Sequence, residues 1–481
     1  MNLSFKKHLL FLSLVIAILG PATSYAADDG VVVIPLEPIE VVSVTTDIIK
    51  TQPQKLPAVL RHTYLTHPEI RSAEADLKAV IEEVAVAMSN YRPDISASAS
   101  ASTQHTEPST FGSPSSNQQD LGLSLSQPIY RGGRTTAAVE AADNRILAQK
   151  SVFDDFVQGI FQDVITAYID VIENQEILSL RENNESVLET QLEANRARFE
   201  LGGTTLTDVS QAKSRLAAAR AERIEASANL RSSHAVFERI TGLAPTGLVM
   251  PEAGFSFDKT LNKLIEIALN NHPEIRAVHY ETEARSQDAR EILGQLLPEV
   301  SVNGSVNRSY NPTFGDTRYT DNSRLTLQAT MPLYLGGEAR ARYRQAQYNR
   351  LSAQNEADDI AREIEQGVII AWEDLQAAQA QVDARGEQVN AATISFEGVS
   401  EEQRFGARTT LDVLDAEQER FNARVDLVSA EFNEISAKYN LMASIGQLTP
   451  EQFGITDISA EITGFYQKTR SNWFGLDIDE E

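Results

Sequence analysis

The feature that most constrains this chain is a long internal repeat. His67-Pro68-Glu69-Ile70-Arg71 returns as His272-Pro273-Glu274-Ile275-Arg276, 205 positions later (272 less 67). Pro93 and Pro298 keep the same offset, as do Pro245 and Pro450, while Pro128 and Pro332, and Gly202 and Gly406, are 204 apart. Length alone is a soft guide to domain number, and a chain of 481 residues that carries one plan twice is expected to build two copies of one supersecondary unit.

Each copy opens with a helical pattern, from Leu56 to Tyr91 in the first, broken at His67-Pro68 where proline suits the first turn of a renewed helix. The period then changes to two. Ile95, Ala97, Ala99 and Ala101 alternate with serines, and Leu121, Leu123 and Leu125 alternate with Gly122, Ser124 and Ser126. Val300, Val302 and Val306, then Leu325, Leu327 and Ala329, repeat this in the second copy. Strands at about 94–130 and 299–334, apolar on one face and small-polar on the other, are predicted, with a solvated Ser/Pro/Asn/Gln-rich loop from His105 to about Gln119.

Beyond Gly132-Gly133 no proline occurs before Gly202, and Phe153, Val157, Ile160, Val164, Ala167 and Val171 recur at spacings of four and three. That is a coiled-coil-like seam, and a helix over these residues extends roughly 100 Å. A glycine turn and a Thr-x-x-Asp-Val start then reverse the chain, at Gly202 to Val209 and again at Gly406 to Val413, so each copy ends in a helical hairpin capped by threonine. Asp412 and Asp415 are three apart and share one helix face. Several copies of that face around an axis would form an acidic ring. Capping by itself also accounts for Asp208 and Asp412, and a solvated face accounts for Asp415.

The N-terminus directs the chain outward. Lys6 and Lys7, an apolar run from Leu9 to Leu19 and Ser24-Tyr25-Ala26 together make a signal peptide over residues 1–26. Its removal takes the two lysines and moves the net charge from −26 to −28, which disfavours nucleic-acid partners. No cysteine is present, so disulfides, thiolate metal sites and a lipid-carrying cysteine are excluded. No run of about 18 apolar residues follows the signal, so any passage through a membrane uses strands. An extended arm over 27–55, a first repeat over 56–245, a second over 246–450 and a C-terminal segment over 451–481 complete the division, with Trp473 and Phe474 docking on the body and a disordered acidic end from Asp477.

Four strands cannot close a barrel, and open sheet edges are not tolerated in lipid. Two copies of the chain would give eight strands filled by side chains; three give twelve and a lumen. The signal peptide, the tandem repeat, the Pro-x-Tyr-x-Gly-Gly strand exits and the Gly-Ala-Arg-Thr-Thr-Leu-Asp-Val-Leu-Asp-Ala tip resemble the TolC family of outer-membrane efflux and type I secretion channels, over residues 56–450. The resemblance implies a mixed α+β membrane protein: a homotrimer with a twelve-strand barrel in the outer membrane of a Gram-negative bacterium, continuous with a twelve-helix periplasmic α-barrel. It implies a periplasmic adaptor and an inner-membrane ABC or proton-driven transporter as partners. Asp412 and Asp415 then fall on the entrance carboxylates, Arg408 on the closed-state latch, and Thr207 and Asp208 on its partners in the other hairpin. Where the family pattern has a latch tyrosine, this chain has Gln403.

Tyr91, Tyr130 and Tyr334 flank the strands and are expected to form a membrane-interface girdle. His67 and His272 stand at repeated helix starts without partners at metal-ligand spacing, which points to local structure. No His-Glu-x-x-His, phosphate-binding glycine loop or Gly-x-Ser-x-Gly elbow is present, so neither an enzyme nor a cofactor is implied. The competing class is a soluble periplasmic coiled-coil adaptor or scaffold, which would share the export signal and the hairpins but would need no duplicated strand pairs.

Overall fold

The structure is a computed structural model, and it describes residues 54–105, 115–251, 260–310, 318–455 and 459–475. The expected signal peptide, the expected arm up to residue 53 and the acidic end lie outside the described residues. In chain order the elements are α1 (Leu56–Thr66), α2 (Pro68–Ser89), β1 (Asp94–His105), β2 (Ser115–Arg131), α3 (Arg134–Glu200) and α4 (Leu206–Thr241). There follow α5 (Leu261–Asn271), α6 (Pro273–Gly294), β3 (Glu299–Tyr310), β4 (Tyr319–Thr330), α7 (Glu338–Arg404) and α8 (Thr410–Ser444). A short 3-10 turn at Pro450–Phe453 and α9 (Ser459–Ser471) end the described chain. The molecule is mostly helical, with one small antiparallel sheet.

The sheet has the order β1-β2-β3-β4. Its register puts Ile95, Leu125, Gly304 and Leu325 in one row, and Ser96, Ser124, Ser305 and Arg324 in the next. Alternate rows face opposite sides, so the predicted apolar and polar faces both form. On the polar side the Ser96 and Ser124 hydroxyls are 2.6 Å apart and Ser126 donates to Asn303 Oδ1 at 3.0 Å. On the other side Ile95 is 71%, Leu325 78% and Leu327 71% exposed, so nothing in the described chain covers the apolar face. β1 and β4 each keep one edge unpaired.

Two strand boundaries differ from the prediction. Residues 115–119, expected in the loop, are strand and pair with 101–105, which gives the backbone N–H and C=O groups of both segments ladder partners. β4 stops at Thr330, before Pro332, which lacks a ladder donor, whereas β2 runs on to Arg131 past Pro128 by means of a bulge between Pro128 and Tyr130. That bulge moves Tyr130 opposite Val300, onto the apolar face.

α3 and α7 are both 67 residues long. All six seam residues named for α3 are buried, in the main core with Leu60, Leu77, Ile81 and Phe237. α7 buries only seven residues, mostly alanines, against 24 for α3, so Tyr348, Leu351, Ile370 and Ile394 stand exposed among the described residues. At the junction of sheet and helices Gly132, at φ +63°, lies so close to Gly294 that a Cβ would meet the Gly294 carbonyl oxygen at 2.4 Å. Only glycine fits there. No helix among the described residues is long and apolar enough to cross a membrane.

Candidate functional site at the hairpin tips

Both hairpins turn by the same local chemistry. At the end of α3, Gly202 takes φ +73°, Gly202 N donates to Phe199 O at 2.9 Å and Gly203 N to Arg198 O at 2.7 Å. At the end of α7, Gly406 takes φ +78°, with Gly406 N to Gln403 O and Ala407 N to Glu402 O both at 2.9 Å. These are Schellman closures, in which the glycine supplies the left-handed residue and two orphan carbonyls are satisfied. Three residues beyond each glycine a threonine starts the returning helix.

Thr205 Oγ1 accepts from Asp208 N at 3.2 Å, and Asp208 Oδ2 accepts from Thr205 N at 2.9 Å and from the Thr204 hydroxyl at 2.7 Å. Thr409 and Asp412 form the second box: Thr409 Oγ1 accepts from Asp412 N at 3.3 Å and Asp412 Oδ2 accepts from Thr409 N at 2.8 Å. The capping account of both aspartates therefore holds. Hydroxyl donors from Thr205 and Thr204, with the Thr205 amide, pull the Asp208 pKa below the usual carboxylate range. For Asp412 the Thr409 amide and hydroxyl do the same, helped by the Arg408 charge. Both stay ionised.

The remaining site residues find other partners. Arg408 Nε donates to Glu402 Oε2 at 2.8 Å across its own turn, and this carboxylate raises the guanidinium pKa further. No hydrogen bond or ion pair among the described residues joins Arg408 to Thr207 or Asp208, and Thr207 is exposed. Gln403 Nε2 lies 3.5 Å from Thr410 Oγ1, also within its own turn. Near the tips Asp415 makes an ion pair between the hairpins: Arg215 Nη2 on α4 donates to its Oδ1 at 2.5 Å. Beside it Leu414 is buried among Leu188, Leu192 and Leu216 of the first hairpin.

Arg215 was not legible as a site residue, since its partner lies 200 positions away and its only local signal is an arginine seven residues beyond Asp208. Leu201 and Phe405, each immediately before its glycine, are 87% and 86% exposed. Of the tyrosines, Tyr130 is on the apolar sheet face, Tyr91 lies before β1 with its hydroxyl 2.8 Å from Thr136 Oγ1, and Tyr334 lies beyond β4, exposed. At the opposite end of that apolar face Tyr310 pairs with Tyr319, their rings 6.5 Å apart. The alternation of β3 and β4, carried to their ends, is the signal that would have found this pair.

Comparison with known proteins agrees with this fold. The model of the family described as outer membrane efflux protein matches the chain twice, over residues 59–243 and 264–447. The outer membrane efflux protein BepC of Brucella suis is 29% identical over 423 residues, covering 88% of this chain and 92% of its own. The outer membrane protein TolC of Escherichia coli is 24% identical over 415 residues, with 83% and 84% covered. The fold is similar to that of the CmeC outer membrane channel of Campylobacter jejuni, with a TM-score of 0.72 at 16% identity, over 93% of this chain and 97% of that one. Two family-model matches that together span most of the sequence decide the matter: this chain belongs to the outer membrane efflux protein family, whose members are outer-membrane channels and not enzymes.

Proposed function

We propose that three copies of this chain assemble into one exit duct, through which an inner-membrane transporter and a periplasmic adaptor pass cargo across periplasm and outer membrane. The observation that carries this reading is the sheet: four strands, two open edges, one uncovered apolar face and one wet face. Pairing β1 of one copy with β4 of the next satisfies every edge, and three copies give twelve strands around a lumen. Along β3 the step from Val300 to Tyr310 is about 33 Å of strand, which at a tilt near 40° gives a band of about 25 Å, the height of a lipid-facing barrel surface; the face is apolar from Val300 to Val306, and the Arg308–Asp321 ion pair, at 2.6 Å, sits on it just inside the Tyr310–Tyr319 rim. Tyr130 below and Tyr310 with Tyr319 above then edge the band, and Tyr91 and Tyr334 extend the lower girdle.

The exposed side of α7 meets the neighbouring copy, so α3, α4, α7 and α8 of three copies make a twelve-helix tunnel, and the recurring element order reflects the tandem repeat. The tips form its entrance. Asp412 and Asp415 line it, and Arg408 with Thr207 and Asp208 restrains it in the closed state through contacts made across hairpins on assembly. Type I secretion and small-molecule efflux both use such a duct; a soluble scaffold would leave the apolar sheet face in water.

Bilayer recordings of detergent-extracted oligomers test this directly. Asp412→Asn with Asp415→Asn is expected to lower cation selectivity and block by multivalent cations severalfold, while Arg215→Ala, which frees Asp415, raises both. Selectivity indifferent to all three substitutions would remove these residues from the pore. A soluble periplasmic monomer without conductance would restore the scaffold.

A further inference from the structure

The C-terminal segment ends on an aromatic pair that the helical core does not use. α9 lies along α2: Lys78 Nζ is 3.4 Å from Glu461 Oε1, the Thr469 hydroxyl donates to Glu82 Oε1 at 3.2 Å, and Ile462 is buried in the main core. Tyr466 donates to Asp143 Oδ1 of α3 at 2.7 Å, and Arg470 pairs with Asp143 at 3.3 Å. Contacts advance along α2 as α9 advances, so α9 runs toward the sheet. One of its final carbonyls is taken up at Arg92, whose Nη2 donates to Arg470 O at 3.4 Å.

There the chain leaves the helix in an ordered turn. Asn472 N donates to Thr469 O at 3.2 Å and Phe474 N to Asn472 Oδ1 at 3.2 Å, which fixes the Trp473-Phe474 step. Trp473 stacks under the Arg92 guanidinium, 4.9 Å from the ring centroid, yet is 58% exposed; Phe474 is 89% exposed. Arg92 is two residues before the first residue of β1, and Gln127 Nε2 of β2 donates to Tyr91 O at 3.0 Å. The pair therefore stands level with the strand bases, where the bulge turns Tyr130 onto the apolar face.

An exposed Trp-Phe step beside an arginine, level with the lower edge of an apolar sheet face, has the composition of a bilayer interface. Indole favours the headgroup region, and an arginine there reaches phosphate. We propose that Trp473, Phe474 and Arg92 form a phospholipid anchor in the periplasmic leaflet, so that the C-terminal segment seats the channel at a fixed depth. This rests on the barrel reading above. Sequence alone suggested that both aromatics pack on the body; Trp473 does so on one face only, and Phe474 does not.

The chain has two tryptophans, and Trp372, far along α7 and partly buried against Val368 and Leu375, lies roughly 50 Å from the start of that helix. Full-length Trp372→Phe protein therefore reports Trp473 alone. Reconstituted in phosphatidylcholine and phosphatidylglycerol vesicles, its fluorescence is expected to be lost to lipids brominated near the headgroup more than to lipids brominated near the acyl end, and to resist iodide. Trp473→Ala protein, which reports Trp372, is expected to show no loss to either lipid. Conducting vesicles in which Trp473 ignores brominated lipid overturn the anchor and leave the channel intact, whether iodide reaches the indole (water) or fails to (a protein neighbour). Chains that neither conduct nor show lipid quenching overturn both readings.

Discussion

At the scale of single residues, the clearest case is His272, which caps α6 through Nδ1, accepting from Glu274 N at 3.3 Å. Gly446 closes over it: at φ +70° its missing Cβ would stand 2.8 Å from His272 Cα. Burial, with Arg276 nearby, lowers the imidazole pKa from 6.5 to about 4. The folded state thus holds His272 neutral where the unfolded chain would protonate it, so its stabilising contribution is complete above pH 6.5 and lost as pH falls toward 4. The loss is on the order of 3 kcal/mol by the linkage between proton uptake and stability. His272→Asn keeps an acceptor without the titration, and denaturation midpoints from pH 7 to 4 should fall less for it than for the parent; parallel profiles would exclude the histidine. A structural reading of His272 was available from its place before Pro273, but its depressed pKa was not, because the covering Gly446 comes from the far end of the repeat. Arg215 escaped for the same reason, being defined by a contact between hairpins.

At the scale of elements, helices and strands were legible almost to the residue where backbone chemistry marks the ends. Pro68, Pro273, Gly202, Gly406, Thr205 and Thr409 are local signals, and the tips follow from them. What the seam pattern did not convey is that apolar burial along α3 is dense only as far as Ile172; farther down, Asn184, Leu188, Leu192 and Asn195 are the buried positions. Asn184 and Asn195 leave their amide nitrogens without partners among the described residues, and unsatisfied buried donors weaken the lower hairpin. The tip therefore depends more on its caps. Thr409→Ala is expected to cost about 0.5–2 kcal/mol locally, read as faster amide exchange over 410–413, and to let the Asp412 pKa rise. Unchanged exchange would show the second hairpin held by its neighbours instead. The bulge at Pro128 was the other hidden element, and it alone decides that Tyr130 faces the apolar side.

At the scale of the whole molecule, two strand edges, the apolar sheet face and much of α7 have no cover among the described residues. Family membership accounts for the architecture, and the threefold assembly proposed above would account for the uncovered surfaces. The natural absence of cysteine makes the decisive measurement simple. A cysteine at Ala97 in β1, combined one at a time with cysteines along 321–329 of β4, can be oxidised in intact outer membranes and the products resolved after denaturation. Covalent trimers, strongest at alternate β4 positions that share one face, are the predicted result; monomers with only internal bridges, or dimers that never reach three, would contradict the assembly.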